Sequence, residues 1–190
     1  ISIFRCGYSY VCQARNWLPD AIGGIVWFGP DEPMSTCYVP FYAGILEIAA
    51  PYYTCDTTTF SRDSAWWAFN FVANWAAVKY SYIIEDIRKK QDEIELAALE
   101  GIRQMDEQAL ALYRKDPKKA KQLLTRYCRN QAEQVVRDWW DFAWILVARY
   151  DDGYVNAPGK MAQEVGYPKA WYEKSQWPNG PTSYRKKGAD

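Results

Sequence analysis

Hydrophobic and polar positions change their period twice along this chain. Residues 8–15 alternate with a period of two, residues 22–28 form a nearly unbroken apolar run, and residues 36–42 form a third β-rich run. Asn16, Pro19 and Asp20 separate the first run from the second, and Gly29-Pro30-Asp31-Glu32-Pro33 separates the second from the third. The pattern predicts an antiparallel meander, with Ile1 to Phe4 reading as a further strand. Because the middle run is apolar apart from its glycines, it is expected to be covered on both faces.

After a loop over residues 51–60 the period becomes helical, with Ser61 or Asp63 available as the cap. Trp66, Phe69, Val72, Ala73, Ala76, Tyr80, Ile83, Ile84 and Ile87 recur at steps of three and four. The stripe continues through Ile94, Leu96, Leu99, Ile102, Met105 and Leu110, with Gly101 as the expected point of kinking. Asp116-Pro117 starts a second long helix running to Tyr150, where Gly153 is the expected cap. The short Arg114-Lys115-Asp116 connection predicts an antiparallel helical hairpin, whose polar stretch from Glu85 to Arg129 is expected to project as a solvated arm. Beyond it, Pro158, Gly159, Gly166, Pro168, Pro178, Gly180 and Pro181 lie among Tyr167, Trp171, Tyr172 and Trp177, which predicts an irregular tail pinned to the body by its aromatics. The fold class is therefore α+β. Antiparallel strands occupy residues 1–60, a long helical hairpin 61–153, and an irregular Trp/Tyr/Pro-rich tail 154–190.

Composition narrows the chemistry. Basic and acidic residues balance at 23 each, so no net field draws the chain to nucleic acid or to an anionic membrane. No segment reads as membrane-spanning, because the most apolar helix carries Asn70, Asn74 and Lys79. A soluble chain follows, with no targeting segment and with its compartment open. Aromatic residues reach 17%, which predicts a large interface or an aromatic-lined cleft in addition to the core. The chain opens on apolar residues in a strand-like run, and the expectation is that it is a fragment.

The sequence contains no histidine, which excludes a Ser-His-Asp or Cys-His system built within the chain and any histidine metal ligand. Cys6, Cys12, Cys37, Cys55 and Cys128 lack C-x-x-C spacing. They read mainly as small buried hydrophobes, with a Cys6 to Cys55 disulfide left open. Glu85, Asp86, Asp92, Glu93 and Glu95 interleave with Arg88, Lys89 and Lys90 and read as a solvated, ion-paired face. The candidate site is the first strand. Period-two alternation places Ser9, Val11, Gln13 and Arg15 on one face, and three of these four are polar. Either the strand is a wet edge, or this face is the wall of a site in which Arg15 binds a charged group and Gln13 supplies a neutral hydrogen bond.

The stretch Ser9-Tyr-Val-Cys-Gln-Ala-Arg15 with Leu18-Pro19, then Gly24-Ile-Val-Trp27, Tyr38-Val-Pro-Phe-Tyr42, Ser64-Ala-Trp-Trp-Ala-Phe69 and Val165-Gly-Tyr-Pro168, resembles the C-terminal part of the C69 dipeptidases. These are relatives of penicillin V acylase and bile-salt hydrolase among the N-terminal-nucleophile hydrolases. The resemblance implies the C-terminal portion of an αββα sandwich and hydrolysis of a dipeptide or similar small amide through an acyl-thioester. It further implies a catalytic cysteine at the mature N-terminus whose own α-amine is the base, with no metal or cofactor. This chain departs from the pattern at residue 1, which is Ile1. The implied nucleophile therefore lies upstream, and the chain alone is expected to be inactive. Its expected partners are the N-terminal remainder of the same enzyme and a dipeptide or small amide substrate, with association of further copies left open. Arg15, Gln13 and Ser9 become the expected site-facing residues. The alternative reading is a non-enzymatic peptide- or protein-binding domain that uses an aromatic cleft or the helical hairpin.

Overall fold

Three strands form one antiparallel sheet in the order β1-β2-β3: β1 is Tyr8–Ala14, β2 is Gly24–Pro30 and β3 is Val39–Tyr42. The structure, a computed structural model, describes residues 2–176. It divides into two units, Ile1–Leu146 and Val147–Asp190. Val11 lies opposite Trp27 and Gln13 opposite Ile25; across the next ladder Ile25 faces Tyr42 and Trp27 faces Pro40. A proline can sit in β3 because β3 is an edge strand with ladder bonds on one side only. The register puts Ser9, Val11, Gln13, Ile25, Trp27 and Tyr42 on one face, and Tyr8, Tyr10, Cys12, Val26, Phe28 and Phe41 on the other.

The α+β class holds, and several local expectations change. Residues 2–7 are not a strand: the Cys6 N–H turns back to the Ile3 carbonyl at 2.9 Å, while Ile1 lies outside the described residues. The apolar run at 22–28 splits, because Pro19 starts a helical turn, α1 (Asp20–Gly23), that ends as β2 begins. Coverage of β2 on both faces is incomplete, since Ile25 is buried and Val26 on the opposite face is exposed. Strand β1 is more open still, with Tyr8, Tyr10 and Val11 all more than half exposed.

Helix α2 (Ala65–Val78) begins at Ser64, whose hydroxyl accepts from the Trp67 N–H at 3.4 Å, rather than at Ser61 or Asp63. The long apolar stripe breaks at Lys79, where φ is −144° and ψ is 56°, and restarts as α3 (Tyr80–Tyr113). Gly101 does not kink α3. A Cβ there would lie 2.6 Å from the Tyr127 hydroxyl, so the missing side chain lets the next helix approach. That helix, α4 (Pro117–Arg149), starts as expected: Asp116 Oδ1 accepts from the Lys119 N–H at 3.0 Å, with Pro117 in the first helical position.

The hairpin is not a solvated arm. Ile94, Ala98, Ile102, Met105 and Ala109 of α3 and Ala120, Leu124, Cys128, Ala132, Val135 and Trp139 of α4 are buried, and Phe69 stacks on Trp139 with ring centroids 4.7 Å apart. The strand-rich segment covers the hairpin's polar stretch through bonds from the Tyr38 N–H to Glu95 at 2.9 Å and from the Leu46 N–H to Thr125 at 2.9 Å. The expected pure solvated face therefore loses Glu95. Among the described residues no helix is long and apolar enough to cross a membrane.

Within the tail the second unit carries short regular elements. A two-stranded ribbon pairs β4 (Tyr154–Val155) with β5 (Gln163–Glu164), and a short helix, α5 (Lys169–Ser175), follows. Helix α4 ends at Arg149, whose carbonyl accepts from the Asn156 N–H at 2.7 Å, and Gly153, at φ +83°, serves the turn into β4 rather than the cap. Tyr167 stacks on Trp171 with centroids 4.5 Å apart. Trp177, Pro178, Gly180 and Pro181 lie outside the described residues.

Candidate active site

Arg15 follows directly on β1, and the backbone there closes into a collar. The Arg15 N–H donates to the Gly23 carbonyl at 3.0 Å, and the Leu18 N–H donates to the Arg15 carbonyl at 3.1 Å. Gly23 is required at this closure, since a Cβ would lie 2.6 Å from the Arg15 carbonyl oxygen. The side chain then folds over its own collar. Nη2 donates to the Ile22 carbonyl at 2.6 Å and Nε to the Gly23 carbonyl at 3.3 Å. On its far side the guanidinium meets Asp106 of α3, with Nη1 on Oδ2 and Nη2 on Oδ1 at 3.2 Å.

Tyr42, the last residue of β3, completes the cluster. Its hydroxyl donates to Asp106 Oδ1 at 2.8 Å, and its ring lies 5.9 Å from the Arg15 guanidinium carbon. Burial, and after it the bond to Asp106, holds the Tyr42 phenol well above its ordinary range. Arg15 is 8% exposed and Asp106 18%, so this is a largely buried ion pair in which carbonyls accept from Nε and from one hydrogen of Nη2, and one Nη1 hydrogen has no acceptor among the described residues.

The three expected site residues share a sheet face but not a partner set. Ser9 Oγ lies 2.8 Å from the Tyr38 hydroxyl, Gln13 Oε1 accepts from Trp27 Nε1 at 3.1 Å, and Arg15 binds Asp106. Ser9 and Gln13 lie on the open part of the face, while Arg15 is drawn beneath α3. Sequence reasoning missed Asp106 and Tyr42. Asp106 stands four residues after Ile102 and beside Met105, on the flank of the buried stripe, and that position is the signal that separates it from the solvated carboxylates.

A second polar cluster follows β2. Asp31 is 2% exposed and adopts φ 64°, in the left-handed region. One carboxyl oxygen accepts from Asn70 Nδ2 at 3.2 Å; the other has no hydrogen-bond partner among the described residues. Burial pushes the Asp31 carboxyl up from its ordinary value of 3.8.

The cysteines are all unpaired, so Cys6 and Cys55 form no disulfide; only Cys37 and Cys128 are buried. Burial pushes the Cys37 thiol well up, and the Cys128 thiol up to about 11, which makes both poor nucleophiles at neutral pH. Cys12 on β1 and Cys55 are exposed, and Cys6 donates to the Tyr8 carbonyl at 3.1 Å. Among the described residues no group of three or more Cys, Asp or Glu side chains is placed to hold a metal ion. A concavity in the first unit is separate from Arg15: a cleft of about 600 Å³ lined by Arg62, Asp63, Glu133, Arg137, Trp140 and Asp141, among others.

The class so defined is an α+β protein with a small open sheet and a buried Arg–Asp–Tyr cluster at one strand end. Residues 1–93, just under half of the chain, match the model of peptidase family C69. A probable dipeptidase of Latilactobacillus sakei is 43% identical over 42 residues, which are 22% of this chain and 9% of that protein. The chain thus aligns with only about a tenth of that relative's length. The family segment takes in β1, β2, β3 and α2 but stops short of Val165-Gly-Tyr-Pro168, so the resemblance covers less of the chain than its motifs implied.

Proposed function

We propose that the chain is part of a cysteine-nucleophile dipeptidase, and that the nucleophile is a cysteine outside these residues. The observation that carries this reading is the C69 match over residues 1–93, the segment that contains Arg15, Gln13 and Ser9. In the proposed reaction a thiolate attacks the carbonyl carbon of a small peptide. The C–N bond breaks as the departing amine takes a proton, and the acyl-thioester is then hydrolysed by water, which returns the thiol. The absence of histidine fits a base supplied by the nucleophile's own α-amine.

Arg15 is the proposed cation of the site. Contacts use one N–H on Nε, one on Nη1 and two on Nη2, which leaves one Nη1 hydrogen, of the five N–H donors a guanidinium carries, for a thiolate or a developing oxyanion. Gln13 and Ser9, on the open part of the same face, are the proposed neutral donors toward substrate.

Dipeptide hydrolysis by the complete gene product and by the 190-residue chain tests the reading. The complete product should turn over dipeptides without added metal and lose activity on thiol alkylation, while the chain alone should be inactive. Arg15→Ala in the complete product should lower turnover on the order of 10²-fold, and Arg15→Lys should fail to restore it, since an ammonium lacks the planar fork. Turnover by the chain alone would place the nucleophile within it, and wild-type rates for both Arg15 variants would remove Arg15 from the site.

A further inference from the structure

We infer that Asp106, with Tyr42 behind it, is a positioning residue that sets the direction of the Arg15 guanidinium, so that α3 beyond the C69-matched segment takes part in the site. This rests on the reading of Arg15 as the site cation.

The argument is geometric. Arg15 lies past the end of β1, where the strand ladder no longer fixes its side chain. Two surfaces take over. The α1 collar offers the Ile22 and Gly23 carbonyls, which accept from Nη2 and Nε along one edge of the planar group but give Nη1 no acceptor. Asp106 binds Nη1 through Oδ2 and Nη2 through Oδ1, so the fork is held at both prongs and the last Nη1 hydrogen has a defined direction. Tyr42 fixes the carboxylate in turn by donating to Oδ1 at 2.8 Å. Asp106 lies 13 residues past the end of the matched segment, at 93, so the carboxylate comes from the part of α3 that the family model leaves out.

The test is steady-state kinetics on the complete gene product, with active enzyme counted by thiol labelling. Asp106→Asn keeps the shape and one accepting oxygen but drops the charge; it should lower kcat about tenfold with KM changed less than about twofold. The double variant Arg15→Ala/Asp106→Asn should be no slower than Arg15→Ala, because a residue that acts only through Arg15 has nothing left to position. Tyr42→Phe, which removes a single hydroxyl, should lower kcat about threefold and show the same non-additivity, and it carries the test if Asp106→Asn does not fold. A merely structural role predicts fewer active molecules at unchanged kcat, with additive losses, and that result overturns the inference. If Arg15→Ala is slow while Asp106→Asn and Tyr42→Phe are wild type, the inference falls and the site reading stands. If Arg15→Ala is itself wild type, both fall.

Discussion

Asp31 and Arg15 place buried charge in this protein in opposite ways. Arg15 has a counter-ion and two carbonyls, whereas Asp31 has only neutral amide donors, from the Asn70 side chain and the Glu32 backbone, and one oxygen with no partner among the described residues. Desolvation therefore raises the folded-state affinity of Asp31 for its proton, and the unfolded chain releases that proton first. Across the window that opens at the ordinary 3.8 and closes at the raised folded value, the unfolded state binds fewer protons, so stability falls as pH rises. Asp31→Asn cannot ionise, and asparagine tolerates the left-handed backbone of this position. Urea unfolding at about pH 4 and about pH 7 should show a smaller loss of stability in the variant than in the wild type. Equal losses would mean that Asp31 titrates as an ordinary carboxyl. Neither this cluster nor Asp106 was legible as a site in the sequence. Asp31 read as part of a turn, and its burial depends on α2, which lies 39 residues away at Asn70.

At the scale of elements, local chemistry was readable wherever it acts within a few residues. Asp116-Pro117 marks the start of α4 in both sequence and structure, and the alternation of β1 and the breaks around β2 gave the meander. The helical turn at Asp20–Gly23 was hidden because Ile22 continues the apolar run of β2 while belonging to the collar. The break at Lys79 was hidden because the apolar stripe passes through it without changing phase, and Gly101 was the more conspicuous candidate. Ser64 was passed over for its neighbours, although it is the residue whose hydroxyl meets an unsatisfied N–H of the first turn. Ser64→Ala should cost about 1 kcal/mol of stability by chemical denaturation, and Ser61→Ala much less. Equal effects of the two would shift the cap away from Ser64.

For the whole molecule, the informative strand is β1. It pairs with β2 on one side and with nothing on the other among the described residues, and Val11 is 56% exposed. The N-terminal remainder proposed as partner would meet the chain along such an edge, where unpaired N–H and C=O groups await a strand. Val11→Lys should leave the melting temperature of the isolated chain nearly unchanged, because an exposed side chain is altered. In the complete gene product it should lower both the melting temperature and dipeptide turnover. If the variant behaves alike in both settings, the docking edge lies elsewhere.

The link from Arg15 to Asp106 joins residues 91 positions apart in the chain. The β1–β2 ladder closes over a short loop, so the sheet can form early, whereas the guanidinium can be fixed only after α2 and most of α3 have formed and docked. The polar cluster is then among the last features to assemble during folding. A chain arrested before α3 docks would carry a complete strand ladder together with an arginine still free to turn.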